Sequence, residues 1–325
     1  MKAVALFSGG LDSLLAIRLV QEQGIDVTAL CFCSPFFIDD EKKKKLGRIA
    51  DKYRFRIEFI DLGNDYIKLV RNPKHGHGKN MNPCIDCHAF MLRKAKEYAE
   101  QIHAKFIFTG EVLDERPMSQ NRKSLDIVEH ESGLKGKLLR PLSAKLLPKT
   151  EAENQWIDRN KLLNISGRGR KPQLALAKRF KIDDYETPGG GCLLTYEEYS
   201  KKLRDLFAHK KRIDKNDLLL LKFGRHFRLG NSRIIVGRNE DDNNNLVKLK
   251  HEADLMFEAR DFVGPTTLLI GKPDKNLIEL AAKLTARYSD ADKDEVVIRY
   301  GNQKLNKELV VGKIKKEGIE KIRVR

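Results

Sequence analysis

Residues 7–17 read FSGGLDSLLAI. The stretch before Ser8, residues 2–7, is mostly apolar and β-compatible, and short enough for a buried strand. Ser8-Gly9-Gly10 then permits a turn with little steric constraint. Leu11, Leu14, Leu15, Arg18 and Leu19 follow at the mixed three- and four-residue spacing of a helix with an apolar stripe. Strand, glycine turn and helix in this order aim free backbone N–H groups and the positive helix end at one point, a geometry that suits a phosphate. Gly-Gly alone would equally fit an ordinary strand-to-helix turn. Ser8, Asp12 and Ser13 around it favour the phosphate, although Asp12 and Ser13 are also common helix-capping residues.

Outward from this stretch the chain alternates. Strands are predicted over 26–33, 56–62 and 105–109, and helices over 39–53, 85–102, 149–160 and 172–180. A basic glycine loop spans 164–171. Strands alternating with helices predict an α/β fold, a doubly wound parallel sheet. Ligands of such sheets sit at the carboxyl ends of strands, where Ser8, residues 31–35 and Thr109-Gly110 fall. After Cys192 the texture changes. Residues 196–215 read as a linking helix, and 216–325 as a smaller α+β domain. Its strands are expected over 218–223, 232–236, 266–270, 295–300, 309–314 and 321–325, and its helices over 243–250 and 276–288. Residues 1–195 would then be the catalytic domain.

Composition narrows the partners. The chain has 325 residues, 41% of them apolar, and a net charge of +17. Its pI is near 9.5. Such a charge fits a polyanion, nucleic acid before an anionic membrane surface. Abundant Lys, Arg and Glu also fit a generic thermostable surface. No apolar leader and no run of membrane-spanning length are seen, so a soluble, cytoplasmic chain without a membrane partner is expected. Five cysteines in a reducing compartment suggest thiolate chemistry or metal rather than a disulfide scaffold.

Ser8-Gly9-Gly10-Leu11-Asp12-Ser13 resembles the pyrophosphate (PP) loop of the ATP pyrophosphatase superfamily, whose fold is adenine-nucleotide alpha hydrolase-like. A Walker loop would need a lysine. The resemblance implies that ATP is split between its α and β phosphates, an acceptor oxygen becoming adenylated as pyrophosphate leaves. Ser8, Gly9, Gly10 and Ser13 would bind the nucleotide, with Asp12 holding Mg²⁺ and acting in catalysis. TGEVLDERPMSQ (109–120) resembles a segment of the tRNA 4-thiouridine synthases, and LLRPLSAKLLPKTE (138–151) a stretch that follows it there. Thr109, Gly110 and Glu111 are thereby expected near ATP, and Ser119 and Gln120 near substrate. Taken singly, Pro117 would only end a turn and Arg140 be a surface charge.

GHGKNMNPCIDCH (76–88) opens a long helix. Cys84 and Cys87 stand three apart, on one side of the helix start, where the positive helix end lowers a thiol pKa. NPCIDC resembles the corresponding segment of tRNA 2-thiouridylases. Cys192 sits in TPGGGCLLT (187–195), behind three glycines. Two uses fit: a persulfide relay through two cysteines, or a [4Fe–4S] cluster on Cys84, Cys87 and Cys192 with one iron open, as in a subset of thiouridine synthases. Three cysteines, and the absence of an appended rhodanese-like domain, favour the cluster. Structural Zn²⁺ with His88 as a fourth ligand is the third option, although only one ligand pair is visible. Cys31 and Cys33 are expected to pack in the core, at most one facing the site. His75 and His77 are expected to be solvated loop residues.

Residues 230–270 resemble the RNA-binding domain of NFACT-type proteins. Arg225, Arg228, Arg233 and Arg238, and the cluster Lys313, Lys315, Lys316, Lys321 and Arg323, would contact phosphates without reading bases. The usual N-terminal RNA-binding module of the 4-thiouridine synthases is not expected here, since the loop starts at residue 7. The resemblances together imply an ATP-dependent tRNA thiouridine synthase, a sulfurtransferase drawing on sulfide or a persulfide carrier protein. The alternatives are a synthetase of the same superfamily acting on a small molecule and a non-catalytic RNA-binding adaptor. The ring position, the sulfur donor and the oligomeric state are left open, a homodimer among the options.

Overall fold

The computed structural model describes residues 1–185 and 191–324. The chain divides into two compact units, Met1–Thr195 and Tyr196–Arg325. In the first, the elements run β1 (Lys2–Leu6), α1 (Leu11–Gln21), β2 (Asp26–Cys33), α2 (Asp40–Lys52), β3 (Arg56–Asp61), α3 (Gly63–Arg71) and α4 (Cys84–Gln101). β4 (Phe106–Phe108), α5 (Arg122–Ser132), β5 (Leu138–Leu139), α6 (Glu151–Gln155) and α7 (Lys171–Arg179) follow.

The five strands form one parallel sheet in the order β3-β2-β1-β4-β5. β1 is central and its Ala3, Val4 and Ala5 are buried, as a strand covered on both faces requires. The chain winds from β1 out to β3, then returns to β4 on the other side. Strand order therefore reverses between β1 and β4, and a crevice opens there at the carboxyl ends. The Ser8 turn follows β1 and Gly110 follows β4, so both border that crevice. The doubly wound sheet expected from the alternation is present. α3 and α5 had no counterpart in the sequence reading. The helix predicted over 149–160 is shorter, closed at its start by the Thr150–Glu153 capping box and ending at Gln155.

The second unit contains α8 (Glu197–His209), α9 (Lys215–Leu220), β6 (Arg225–Leu229), β7 (Ser232–Val236), α10 (Glu240–Leu249), β8 (Leu255–Ala259) and β9 (Thr267–Ile270). α11 (Lys275–Tyr288), β10 (Glu295–Gly301), β11 (Lys307–Gly312) and α12 (Lys316–Ile322) complete it. Its six strands form an antiparallel sheet in the order β11-β10-β8-β9-β7-β6. Phe227, Ile234, Phe257, Leu269, Leu284 and Ile298 form its core.

Three sequence expectations change here. Most of the strand expected over 218–223 is instead helix α9 and the turn after it, because Asp214 and Asp217 build a capping box at its start. The strand expected over 321–325 begins inside α12, which buries Ile319. The helix set apart as a link packs within the second unit: the Tyr199 hydroxyl donates to Leu218 O at 3.1 Å, and Arg228 Nε to Asp205 at 3.0 Å. Among the described residues no helix is long and apolar enough to cross a membrane.

Candidate functional site

Gly9 adopts φ +86°, a conformation that favours glycine, so the turn after β1 depends on it. Gly10 is the N-cap of α1 and no side chain caps that helix. Ser13 instead donates its hydroxyl to Gly10 O at 2.8 Å, and Gly10 N lies 3.5 Å from Ser8 Oγ. The capping role open to Asp12 and Ser13 is thus not taken, and the first N–H groups of α1 face the crevice without a side-chain acceptor.

Asp12 is half-buried and its Oδ1 has no hydrogen-bond partner. Burial raises its pKa, while Arg170, the Gln173 amide and Arg116 pull it back. Glu115 is raised too, by burial and then by Asp12. Sequence reasoning missed Arg116, Arg170 and Gln173. The basic 164–171 loop was the signal that could have found Arg170.

Gly110 shows how closely β4 meets the turn. A Cβ there would lie 2.5 Å from Ser13 Cα and N. Beside it, Glu111 is buried and both its oxygens are engaged. Oε1 lies 2.8 Å from His88 Nδ1. Oε2 accepts from Thr109 Oγ1 at 3.0 Å and Arg140 Nε at 2.9 Å. Arg140, only 3% exposed, also pairs with Glu129. Burial alone would raise the Glu111 carboxyl; Arg140 and His88 overcome it and hold it at about 2. Thr109 and Glu111 therefore border the crevice as a closed ion network, and Arg140 is its buried centre rather than a surface charge. Ser119 and Gln120 are buried, and Gln120 Oε1 has no partner.

Cys84 and Cys87 open α4, whose N-cap is Pro83. Residues 193–195 dock beside them. Met81 N donates to Leu194 O at 3.1 Å, Asn80 Nδ2 to Thr195 O at 2.6 Å, and Leu193 N to Phe36 O at 2.8 Å. These bonds bring Cys192 to the other two cysteines. Tyr66 is fully buried, its hydroxyl 3.1 Å from Cys87 Sγ, and its pKa is raised by burial and then by Cys87, Cys192 and Cys84. Asn82 Nδ2 donates to Cys84 Sγ at 3.3 Å. The three thiols are free. Of the glycines preceding Cys192, Gly189 and Gly190 lie outside the described residues.

The lowered thiol pKa expected from the helix end is not found at Cys87. Burial pushes that thiol up, beyond what the Tyr66 hydrogen bond offsets. Burial likewise pushes Cys192 up to about 11, against the Leu194 N–H and Arg116. Arg116 thus acts on both Asp12 and Cys192. His88, considered as a zinc ligand, turns Nδ1 to Glu111, and His77 is an exposed loop residue as expected, with Nε2 2.7 Å from Val70 O. Cys31 and Cys33 are buried as expected. They are two apart on β2 and so share a face, with Cys33 Sγ 3.6 Å from Cys31 O.

In the second unit the four arginines have partners within the fold, and Arg238 lies past the end of β7 and is exposed. Arg225 lies over the Tyr288 ring at 4.6 Å, Arg228 is chelated by Asp205, Arg233 is 3% exposed beside Asp217, and Arg238 pairs with Asp242. Arg225, Arg228 and Arg233 stabilise the fold and leave little for phosphate. Lys315, Lys316 and Lys321 are exposed, with no ion pair among the described residues.

Residues 1–150 match the family described as "Thiamine biosynthesis protein (ThiI)", and residues 224–323 the one described as "NFACT protein RNA binding domain". An uncharacterized protein of Methanocaldococcus jannaschii is 33% identical over 34% of this chain and 41% of its own length. A probable tRNA sulfurtransferase of Lactobacillus delbrueckii subsp. bulgaricus is 33% identical over 39% of this chain and 31% of its own. The chain thus spans less than half the length of either relative. The solved U34-tRNA thiolase NcsA of Methanococcus maripaludis, with its [4Fe-4S] cluster, aligns over 68% of this chain and 73% of that one at 16% identity. Its TM-score is 0.35, too low to bear on the chemistry here. Both resemblances read from the sequence, to tRNA sulfurtransferases in the first half and to the NFACT RNA-binding domain at the end, are borne out by the family matches.

Proposed function

We propose that this chain is an ATP-dependent tRNA thiouridine synthase. A uridine carbonyl oxygen attacks the α-phosphorus of ATP and pyrophosphate leaves. Sulfur then attacks the same carbon, and AMP leaves with the oxygen. The observation that carries the reading is the docking of residues 193–195 on residues 80–82, which brings Cys192 to Cys84 and Cys87.

The roles divide by position. Ser8, Gly9, Gly10 and Ser13 present the uncapped start of α1 to phosphate. Asp12 would hold Mg²⁺ through the oxygen that has no protein partner. The buried Glu111–Arg140 network keeps the β4 end and His88 in place. The donor set of Cys84, Cys87 and Cys192 fits a [4Fe–4S] cluster. Three thiolates suit three irons of a cubane, one ligand each, whereas a closed zinc site would need a fourth protein ligand. When bound, the cluster would supply an iron open to sulfide. Exposed lysines of the second unit would hold tRNA by its phosphates, in the cytoplasm where tRNA is modified.

Anaerobic purification followed by iron analysis and tRNA nucleoside mass spectrometry tests this. About four irons per chain are expected, the content of one cubane, with iron lost on Cys84→Ser, Cys87→Ser or Cys192→Ser and retained in Cys31→Ser. Thiolation of tRNA from a persulfide donor by colourless, iron-free protein would overturn the cluster. Unchanged tRNA thiolation after each single cysteine replacement would overturn the sulfur role altogether.

A further inference from the structure

The segment after β5 is bound tightly to the rim of the crevice. Gly167 N donates to Leu113 O at 2.7 Å, and Leu113 and Ser166 form a β-bridge. Ser143 Oγ accepts from Leu113 N at 2.9 Å and donates to Ile165 O at 2.7 Å. This anchoring delivers Arg170 and the first turn of α7 to α1, against which α7 packs. Gln173 there is 0% exposed, and neither atom of its amide has a hydrogen-bond partner. Asp12 Oδ1 and Arg170 Nε are also without one.

A fully buried amide with no partner is costly to the fold. Gln173 lies close enough to Asp12 to act on its carboxylate, yet not in hydrogen-bond geometry. Arg170 and Arg116 bear on the same carboxylate. The Arg170 guanidinium and an unsatisfied amide near one carboxylate, beside an uncapped helix start, form a cradle for a ligand more negative than a single phosphate.

We propose that Arg170, at the start of α7, forms a second wall of the phosphate pocket and binds the β and γ phosphates of ATP, the part that leaves as pyrophosphate. The proposal rests on reading the Ser8–Ser13 turn as the ATP site. Asp12 and a polyphosphate repel each other, and Arg170 offsets that repulsion with charge-assisted, bidentate hydrogen bonds. Gln173 is a positioning residue, holding the Asp12 carboxylate in line once the ligand is seated. Arg116 is exposed on its loop and bears on Cys192 as well as on Asp12, so Arg170 is the residue to probe.

Calorimetric titration of the full chain with inorganic pyrophosphate, α,β-methylene-ATP and AMP, each with Mg²⁺, tests the wall. Arg170→Ala should weaken pyrophosphate and the ATP analogue by about ten- to a hundredfold, as loss of hydrogen bonds to a charged group does, and leave AMP nearly unchanged. Gln173→Leu should weaken the ATP analogue without lowering the melting temperature, because it removes an unpaired buried amide. A purely structural glutamine would give the reverse, a lower melting temperature and an unchanged affinity. Unchanged pyrophosphate affinity in Arg170→Ala, or an equal loss for AMP and pyrophosphate, overturns the wall while the turn stands. Parent protein that binds none of the three ligands overturns the reading of the turn, and the wall with it.

Discussion

Asp12 carries the tension between stability and function. Burial disfavours its charge, and Oδ1 has no partner in the protein. Asp12→Asn keeps the shape and removes that cost. The variant should melt no lower than the parent, release no pyrophosphate from ATP, and bind tRNA as before. Melting curves, a pyrophosphate assay and a tRNA titration check the three parts, and ATP turnover equal to the parent's would remove Asp12 from catalysis. Glu111 is the opposite case. Despite burial, Arg140 and His88 hold its carboxyl at about 2, below the value of about 4.3 in an unfolded chain. A depressed carboxyl stabilises the fold fully above the unfolded value and loses that contribution as pH falls towards the folded one. The parent should therefore exceed Glu111→Gln in urea midpoint by a constant margin above about pH 5. The margin should shrink between about pH 4.3 and about pH 2. A margin independent of pH would assign Glu111 a purely steric role.

At the scale of elements, the site depends on how closely the end of β4 approaches the start of α1. A Cβ on Gly110 would meet the Ser13 backbone at 2.5 Å, and backbone cannot swing aside as a flexible side chain can. Gly110→Ala should cost about 1–3 kcal/mol of stability, the range for overpacking, and weaken ATP binding by displacing the turn. Thermal unfolding and nucleotide titration report both; normal values for both would mean that β4 and α1 are free to separate. The second unit shows why short elements are hard to read. Residues 218–220 are an unbroken leucine run, equally suited to a strand or a buried helix. Asp214 and Asp217, close upstream, decide for helix through a capping box.

At the scale of the molecule, the net charge of +17 points to a polyanion, but its distribution differs from the sequence expectation. Arg225, Arg228, Arg233 and Arg238 are engaged within the second unit, and Lys313 donates to Ala291 O. Lys315, Lys316 and Lys321 are the exposed charges of the terminal cluster without an ion pair among the described residues. Replacing all three with glutamine should weaken tRNA binding and reduce the slope of log affinity against log salt by about one unit for each phosphate no longer neutralised. An unchanged slope would move the RNA surface elsewhere on the second unit.

Periodicity and local chemistry alone determined the parallel sheet, the glycine turn after the first strand, and the Cys84–Cys87 pair, which Cys192 joins only through the docking of residues 193–195. Each of those signals is local: an alternation of strand and helix patterns, a glycine needed at positive φ, thiols at a helix start. Only the tertiary structure decided which charges are free. Arg140 and Glu111 lie 29 positions apart and neutralise each other in the core. Arg228 and Asp205 do so across 23. Gln173 reaches Asp12 only because the loop before it is stitched to Leu113. A sequence presents charged groups without their partners, and whether a charge binds a ligand or holds the fold depends on what packing brings beside it.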